Sequence, residues 1–242
     1  MIVGVVSPKG GPGKTTTALN LAGSLRSEDF TTALVDADDE NKHSLKWSDY
    51  RQQSSMAKDI PVFAAPKPQQ LVKTVDELNL KFDAVVIDGR PSTEAITTAI
   101  IQVSDILVIP VVPGTLDMWS IFDFIEYYES ACKTSKKGYI PGCFLINRFE
   151  GNSNFVKEIK GILKDFSEKY PLKLLEATMR KRDDYSKAFT YGWSIMDVDA
   201  QIRDENKKLV FPRLEQAQHE WSSVYAEIMQ IVHGVHAQTE EQ

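Results

Sequence analysis

Two lysines, Lys9 and Lys14, stand in one glycine-rich stretch, "SPKGGPGKTT", at residues 7–16. Gly13, Lys14 and Thr15 complete the pattern G-x-x-x-x-G-K-[ST] of a phosphate-binding loop, although Pro8 stands where that pattern opens with glycine. Gly10, Gly11 and Gly13 let backbone N–H groups turn onto phosphate oxygens with no Cβ in the way. A helix opening at this point adds partial positive charge. Lys14 then reaches the β- and γ-phosphates, the Thr15 hydroxyl ligates Mg²⁺, and Thr16 follows in the same turn. Pro12 has no N–H, so the cradle is one donor short. The pattern has no use for Lys9.

Such a loop needs carboxylates for the metal. "FDAVVIDG" brings Asp88 to the end of an apolar run, and Gly89 follows it with an N–H that could meet a γ-phosphate. "LVDADDE" brings Asp36 and Asp38, two apart and so on one side of an extended chain. An acidic cluster alone is usually a solvated loop. At a strand end, beside a phosphate loop and a second acidic strand end, it reads as part of a metal and water site.

The elements that position these groups are legible as an alternation. "IVGVV", "TTALVDAD", "IPVFAA", "FDAVVID", "DILVIPVV" and "GCFLIN" are short runs, apolar throughout. Runs of that kind are strands buried on both faces, the mark of a parallel sheet. Between most of them lie helical patterns, among them "KTTTALNLAGSLR", "PQQLVKTVDELNL", "TEAITTAIIQV", "LDMWSIFDFIEYYES" and "NFVKEIKGILKDFSEKY". The expected fold is α/β: a single domain over residues 1–242, with a mostly parallel twisted sheet and helices on both faces. Ligands bind such sheets at the C-terminal ends of the strands. The loop after "IVGVV", Asp36, Asp38, Asp88 and Asn147 all fall there.

These stretches resemble a known family. "KGGPGKTT", "LVDADDE" and "VVIDGRPS" are similar to the deviant Walker-A, A′ and Walker-B motifs of the ParA/MinD ATPases, and "SDILVIPVVPGTLD" to the strand that follows. The resemblance covers roughly residues 1–150. By length and wording the chain is most similar to small partition ATPases of the ParF type and their relatives in T-DNA transfer. The resemblance implies ATP and Mg²⁺ as cofactors, weak hydrolysis stimulated by a partner, and a dimer that sandwiches the nucleotides. It implies that Lys9 acts on the phosphates held by the other subunit, that Asp38 positions the attacking water, and that Asp36 supports Mg²⁺ together with Thr15 and Asp88. It places Asn147 near the adenine. Its further implications are nonspecific DNA, a ParB-like adaptor, and a cytoplasmic, nucleoid-associated life spent segregating a plasmid or another cargo. Pro12 and the "GRP" of Gly89–Pro91 depart from the family's commonest wording.

Charge and composition narrow the rest. The chain of 242 residues carries a net charge of −6, but residues 133–187 hold thirteen Lys or Arg against seven Asp or Glu. Arg180, Lys181 and Arg182 stand together, and Lys157, Lys160 and Lys164 share a helical face. Several cations on one surface hold DNA phosphates by releasing counterions, without reading bases. No apolar run reaches the ~18 residues of a membrane span. The last helix, near Leu214 to Val232, has no Lys or Arg to draw it to an anionic membrane, so its apolar stripe is expected to pack on the sheet. The first strand begins at Ile2, so no helix-turn-helix is expected before it, and without a basic region followed by an apolar one no signal peptide is expected. Cys132 and Cys143 form no CxxC and read as packing residues in a reducing compartment. His233 and His236 flank Gly234 near a helix end, where metal binding is not expected. The rival reading is an ATP-dependent ligase of the dethiobiotin-synthetase kind, in which Lys9 serves a small substrate. A module that holds nucleotide without turnover is the third.

Overall fold

A computed structural model describes residues 1–7, 9–38, 40–54, 57–91, 94–150 and 154–240, with the backbone alone at 94, 115–119, 154–155, 236 and 238–240. Pro8, which replaces the first motif glycine, lies outside the described residues.

Seven strands form one sheet in the order β3-β2-β4-β1-β5-β6-β7, and every pairing between them is parallel. They are β1 (Ile2–Val5), β2 (Thr32–Asp36), β3 (Val62–Ala64), β4 (Ala84–Asp88), β5 (Ile106–Val111), β6 (Gly142–Ile146) and β7 (Leu172–Leu174). The five inner strands are buried at every position, as runs apolar throughout demand. The two edge strands are three residues long, which gives a second chain little to pair with.

Successive strand residues feed opposite faces. On one face Val3, Val5, Leu34, Val86, Val108 and Leu145 pack under α1 (Lys14–Ser27), α2 (His43–Gln52), α7 (Asp183–Thr190) and α8 (Leu214–Glu240). On the other, Ile2, Val35, Val85, Ile87, Leu107 and Phe144 pack under α3 (Pro68–Asn79), α4 (Glu94–Val103), α5 (Thr115–Thr134) and α6 (Asn154–Lys169). The stripe of α8 expected on the sheet is there: Leu214, Ala217, Trp221, Val224, Ile228 and Ile231 are all in the core. Cys132 and Cys143 are buried packing residues. Among the described residues no helix is long and apolar enough to cross a membrane.

The register sets the site. Asp36 is the partner of Asp88 across β2 and β4, and Asp88 is the partner of Val5 on β1. Two acidic strand ends therefore lie level with the start of the glycine loop. Chain order along the sheet reverses at β1, where such folds open a crevice.

Candidate nucleotide site

Val5 hands the chain to the loop, and Gly13 starts α1 from a left-handed backbone, φ 96°. A cap from an ordinary side chain is absent there. The first helical bond runs from Thr17 N–H to the Gly13 carbonyl at 2.8 Å, so the N–H groups of Lys14, Thr15 and Thr16 have no partner in the helix itself. They border a cleft of about 360 Å³ lined by Gly10–Thr16, Asp38, Asp88, Gly89 and Arg148.

The loop is clamped from the end of β6. Asn147 Nδ2 donates to the Pro12 carbonyl at 2.7 Å, and Arg148 donates from its guanidinium to the Gly11 carbonyl at 2.8 Å. Because a peptide is planar and trans, pinning the Pro12 carbonyl aims the Gly13 N–H the other way. A Cβ at Gly13 would sit 2.1 Å from Asn147 Nδ2, so glycine is required there by space as well as by φ. Asn147 is buried, and its Oδ1 accepts from the Arg148 backbone N–H. Both ends of the amide that the family resemblance puts near adenine are thus engaged with the loop and its own strand end.

Lys14 is 5% exposed, and its Nζ donates to the Lys9 carbonyl at 2.7 Å. Burial lowers its pKa to about 8, against the pull of Asp88 and Asp38. Asp88 is buried too. Its Oδ2 accepts from Ser44 Oγ at 2.7 Å, and the nearby Thr15 hydroxyl favours its anion. Its Oδ1 is buried with no hydrogen-bond partner among the described residues. Desolvation pushes its pKa up to about 7, and the Ser44 bond offsets only part of that rise.

Asp38 lines the cleft but Asp36 does not, and the extended chain expected to carry both stops at Asp36. β2 ends at Asp36, and the Asp38 N–H turns back onto Asp36 Oδ1 at 3.0 Å, an Asx-type turn. Asp36 Oδ2 accepts from Leu45 N–H at 3.2 Å, so this buried carboxylate shapes the loop into α2. Burial raises its pKa, opposed by those backbone bonds. Asp38 borders the cleft. Burial acts to raise its pKa, but hydrogen bonds from the Asn41 side chain and from the Asn41 and Glu40 amides outweigh it and hold the carboxyl low and ionised. The Gly89 N–H expected at a γ-phosphate is instead committed to the Val5 carbonyl at 3.0 Å. The β1–β4 ladder runs one residue further than the motif suggests, and a Cβ at Gly89 would meet that carbonyl at 2.6 Å.

Of the basic run, Lys181 lines an adjoining cleft together with Gly10, Gly11, Pro12 and Arg148, while Arg180 and Arg182 line neither cleft. Arg182 grips Glu220 of α8 through Nε at 3.0 Å and through its terminal nitrogen, with 9% of its side chain exposed. Arg180 lies over Phe149 and near Glu220, and Lys181 pairs with Glu150 at 2.8 Å, each with 55% of its side chain exposed. Two contributors escaped the sequence reading: Ser44, on a helix with little apolar patterning, and Arg148. The signal for Arg148 was its place, one residue past Asn147 at a strand's C-terminal end.

The family profile described as "VirC1 protein" matches residues 1–234. The chain belongs to the VirC1 family of ParA/MinD-type P-loop ATPases. This VirC1-family chain is 31% identical over 204 residues to the maintenance of carboxysome distribution protein A of Halothiobacillus neapolitanus, covering 82% of this chain and 88% of that one. Its fold is similar to that of apo McdA from Cyanothece, at TM-score 0.68 and 17% identity over 96% of this chain and 99% of that one. The MinC:MinD cell division complex of Aquifex aeolicus gives TM-score 0.68 and 16% identity over 95% and 96%. The ParA/MinD family expected from the lysine doublet and the acidic strand ends is the one to which the matching profile and these relatives point. The α/β fold with a parallel sheet and helices on both faces holds as well.

Proposed function

We propose that the protein is a Mg²⁺-dependent ATPase that dimerises on ATP and uses hydrolysis to distribute a cargo. The observation that carries this reading is the meeting of three elements at one cleft: the uncapped N-terminus of α1, buried Lys14 behind it, and Asp88 with an unpartnered oxygen. The residues fit a hydrated divalent cation, since Asp88 Oδ1 is an orphaned acceptor beside the Thr15 hydroxyl. Mg²⁺ bound there supplies charge neutralisation at the phosphate oxygens. The chain's own part is to cradle and position. Lys14 exchanges the Lys9 carbonyl for phosphate oxygen, a stronger, charge-assisted partner. The amides of Lys14, Thr15 and Thr16 accept the remaining phosphate charge. Asp38, held ionised by Asn41 and Glu40, orients a water at the cleft.

The second subunit enters through Lys9, whose residue also lines an adjoining cleft of about 410 Å³ that shares Gly10–Pro12 and Arg148 with the first. In this reading Lys9 crosses the dimer to the partner's phosphates and offsets charge that grows on hydrolysis. Nonspecific DNA is held by the half-exposed Arg180 and Lys181, with Lys157 and Lys164, also exposed, on α6. A ParB-like adaptor stimulates turnover, and the protein works in the cytoplasm on the nucleoid. Kinship to a protein named for maintaining carboxysome distribution widens the cargo beyond plasmids.

The decisive experiment is light scattering on a sizing column with Mg²⁺ and either ATP or ADP, beside phosphate release from the same sample. The reading expects a dimer with ATP, a monomer with ADP, and slow release. A monomer in both, with turnover only when a small acceptor is added, would establish the ligase instead.

A further inference from the structure

Proline at position 12 removes one N–H from a loop whose task is to donate N–H groups. Pro12 borders the phosphate cleft, and so does the guanidinium-bearing Arg148. Arg148 reaches the loop at the residue before the proline, 2.8 Å from the Gly11 carbonyl. Gly11 has φ 85°, a left-handed backbone that favours glycine. One of the five N–H groups of the guanidinium is spent on it. The rest belong to a planar, permanently charged fork suited to phosphate oxygens.

The placement of Arg148 is fixed from both sides. Its own backbone is left-handed, φ 53°, which an arginine adopts only at a cost. The strand partner holds Asn147 by its N–H on the Val111 carbonyl at 2.8 Å. Phe149 N–H is held on the Met179 carbonyl at 3.1 Å. The Arg148 N–H itself rests on Asn147 Oδ1 at 2.7 Å. The chain at the end of β6 is therefore bent in a disfavoured conformation that turns the Arg148 side chain toward the loop.

We propose that Arg148 is a phosphate-contacting residue that supplies, from a side chain, the donor that Pro12 withholds from the backbone. This rests on the reading of the cleft as a nucleotide site. It makes a prediction that the motif alone does not: the two positions are energetically coupled. Where residue 12 has an N–H, Arg148 matters less.

The test is calorimetric titration of ATP and AMP, with Mg²⁺, into the native protein, Arg148→Gln, Pro12→Ala and the double variant. Alanine accepts the backbone angles of proline and restores the N–H. Arg148→Gln is expected to weaken ATP binding about tenfold, the size of one charge-assisted hydrogen bond. In the Pro12→Ala background the same change is expected to cost less than about threefold, by the coupling of groups that share a partner. AMP, which lacks the β- and γ-phosphates, should respond little in either background. Equal loss in both backgrounds, or equal loss for ATP and AMP, would make Arg148 only a brace for the loop and overturn the proposal. Should Arg148→Gln not fold, Arg148→Lys serves in its place: retention of charge predicts a smaller loss in the native than a neutral side chain gives, still reduced by Pro12→Ala, and no such reduction overturns the proposal. Failure of the native protein to bind ATP sinks the nucleotide reading and this one with it. Native binding with an unaffected Arg148→Gln sinks this one alone.

Discussion

Asp88 carries the cost of the site at the scale of single residues. Its carboxyl titrates near 7 in the folded chain against an ordinary 3.8, because burial disfavours the anion. A carboxylate raised on folding costs stability when ionised. Below about pH 4 it is protonated folded and unfolded, and the cost is absent. Between 4 and 7 the unfolded chain ionises first, so stability falls as pH rises, and above 7 the full cost stands. Asp88→Asn keeps an acceptor for Ser44 and removes the charge. It is expected to raise the melting temperature of the nucleotide-free protein at pH 8 by roughly 5 °C. The gain should shrink toward zero as pH falls to 4, while Mg²⁺-dependent hydrolysis is lost. Lys14, lowered to about 8, stays charged across the window from 4 to 7, and Asp36, also raised by burial, is present in both proteins, so the difference between their melts belongs to Asp88. Thermal melts of both proteins across that range check it. A gain independent of pH would assign the effect to packing.

Elements explain what could be read in advance and what could not. The inner strands were legible because burial on both faces leaves no polar alternation to confuse. The phosphate loop was legible because strand, glycines, lysine and helix occur in one order. Helix α2 was not, because the stripe it buries is Ser44, Trp47, Ser48 and Arg51. The spacing is helical but three of the four are polar, each needing a distant partner, such as Asp88 for Ser44 and Asp197 for Arg51. The committed Gly89 N–H escaped notice for a related reason: a motif does not say where a ladder stops. The basic run shows the same limit, since "MRKRDD" reads as one patch while the fold divides it. Arg182 braces the loop to α8 through a largely buried pair with Glu220. Arg182→Ala is expected to cost about 2 kcal/mol by stranding that carboxylate. Arg180→Ala and Lys181→Ala should each change stability by less than ~0.5 kcal/mol, being exposed pairs. Changing Arg180 and Lys181 together to Glu should weaken DNA binding on every sequence and flatten its salt dependence by roughly one to two units of slope. Chemical denaturation and salt-dependent binding separate the two roles. If Arg182→Ala leaves stability intact, the division of the run is wrong.

For the whole molecule the question returns to the second lysine. The carbonyl of Lys9 receives Lys14 in the single chain, and that is a backbone contact which no substitution at position 9 removes. Lys14, Thr15 and the loop amides stay in place as well. Lys9→Ala is therefore expected to leave nucleotide affinity of the monomer unchanged. The assembly is different. Two sandwiched triphosphates bring several negative charges close together, and like charges at such distances repel strongly where water is excluded. The net charge of −6 adds to that repulsion between copies. Mg²⁺ and Lys14 neutralise part of it within each subunit, cations at the interface must offset the rest, and the resemblance to the family gives that place to Lys9 from each side. The variant should fail to dimerise with ATP, and should lose ATP-dependent DNA binding and partner-stimulated turnover together, since all three need the closed pair. A ligase predicts the reverse pattern: an unaltered oligomer and a raised KM for the small substrate. Light scattering of Lys9→Ala in ATP, beside its nucleotide affinity, distinguishes them. Normal dimerisation with normal affinity would remove the lysine from the interface and leave the nucleotide site without its trans partner.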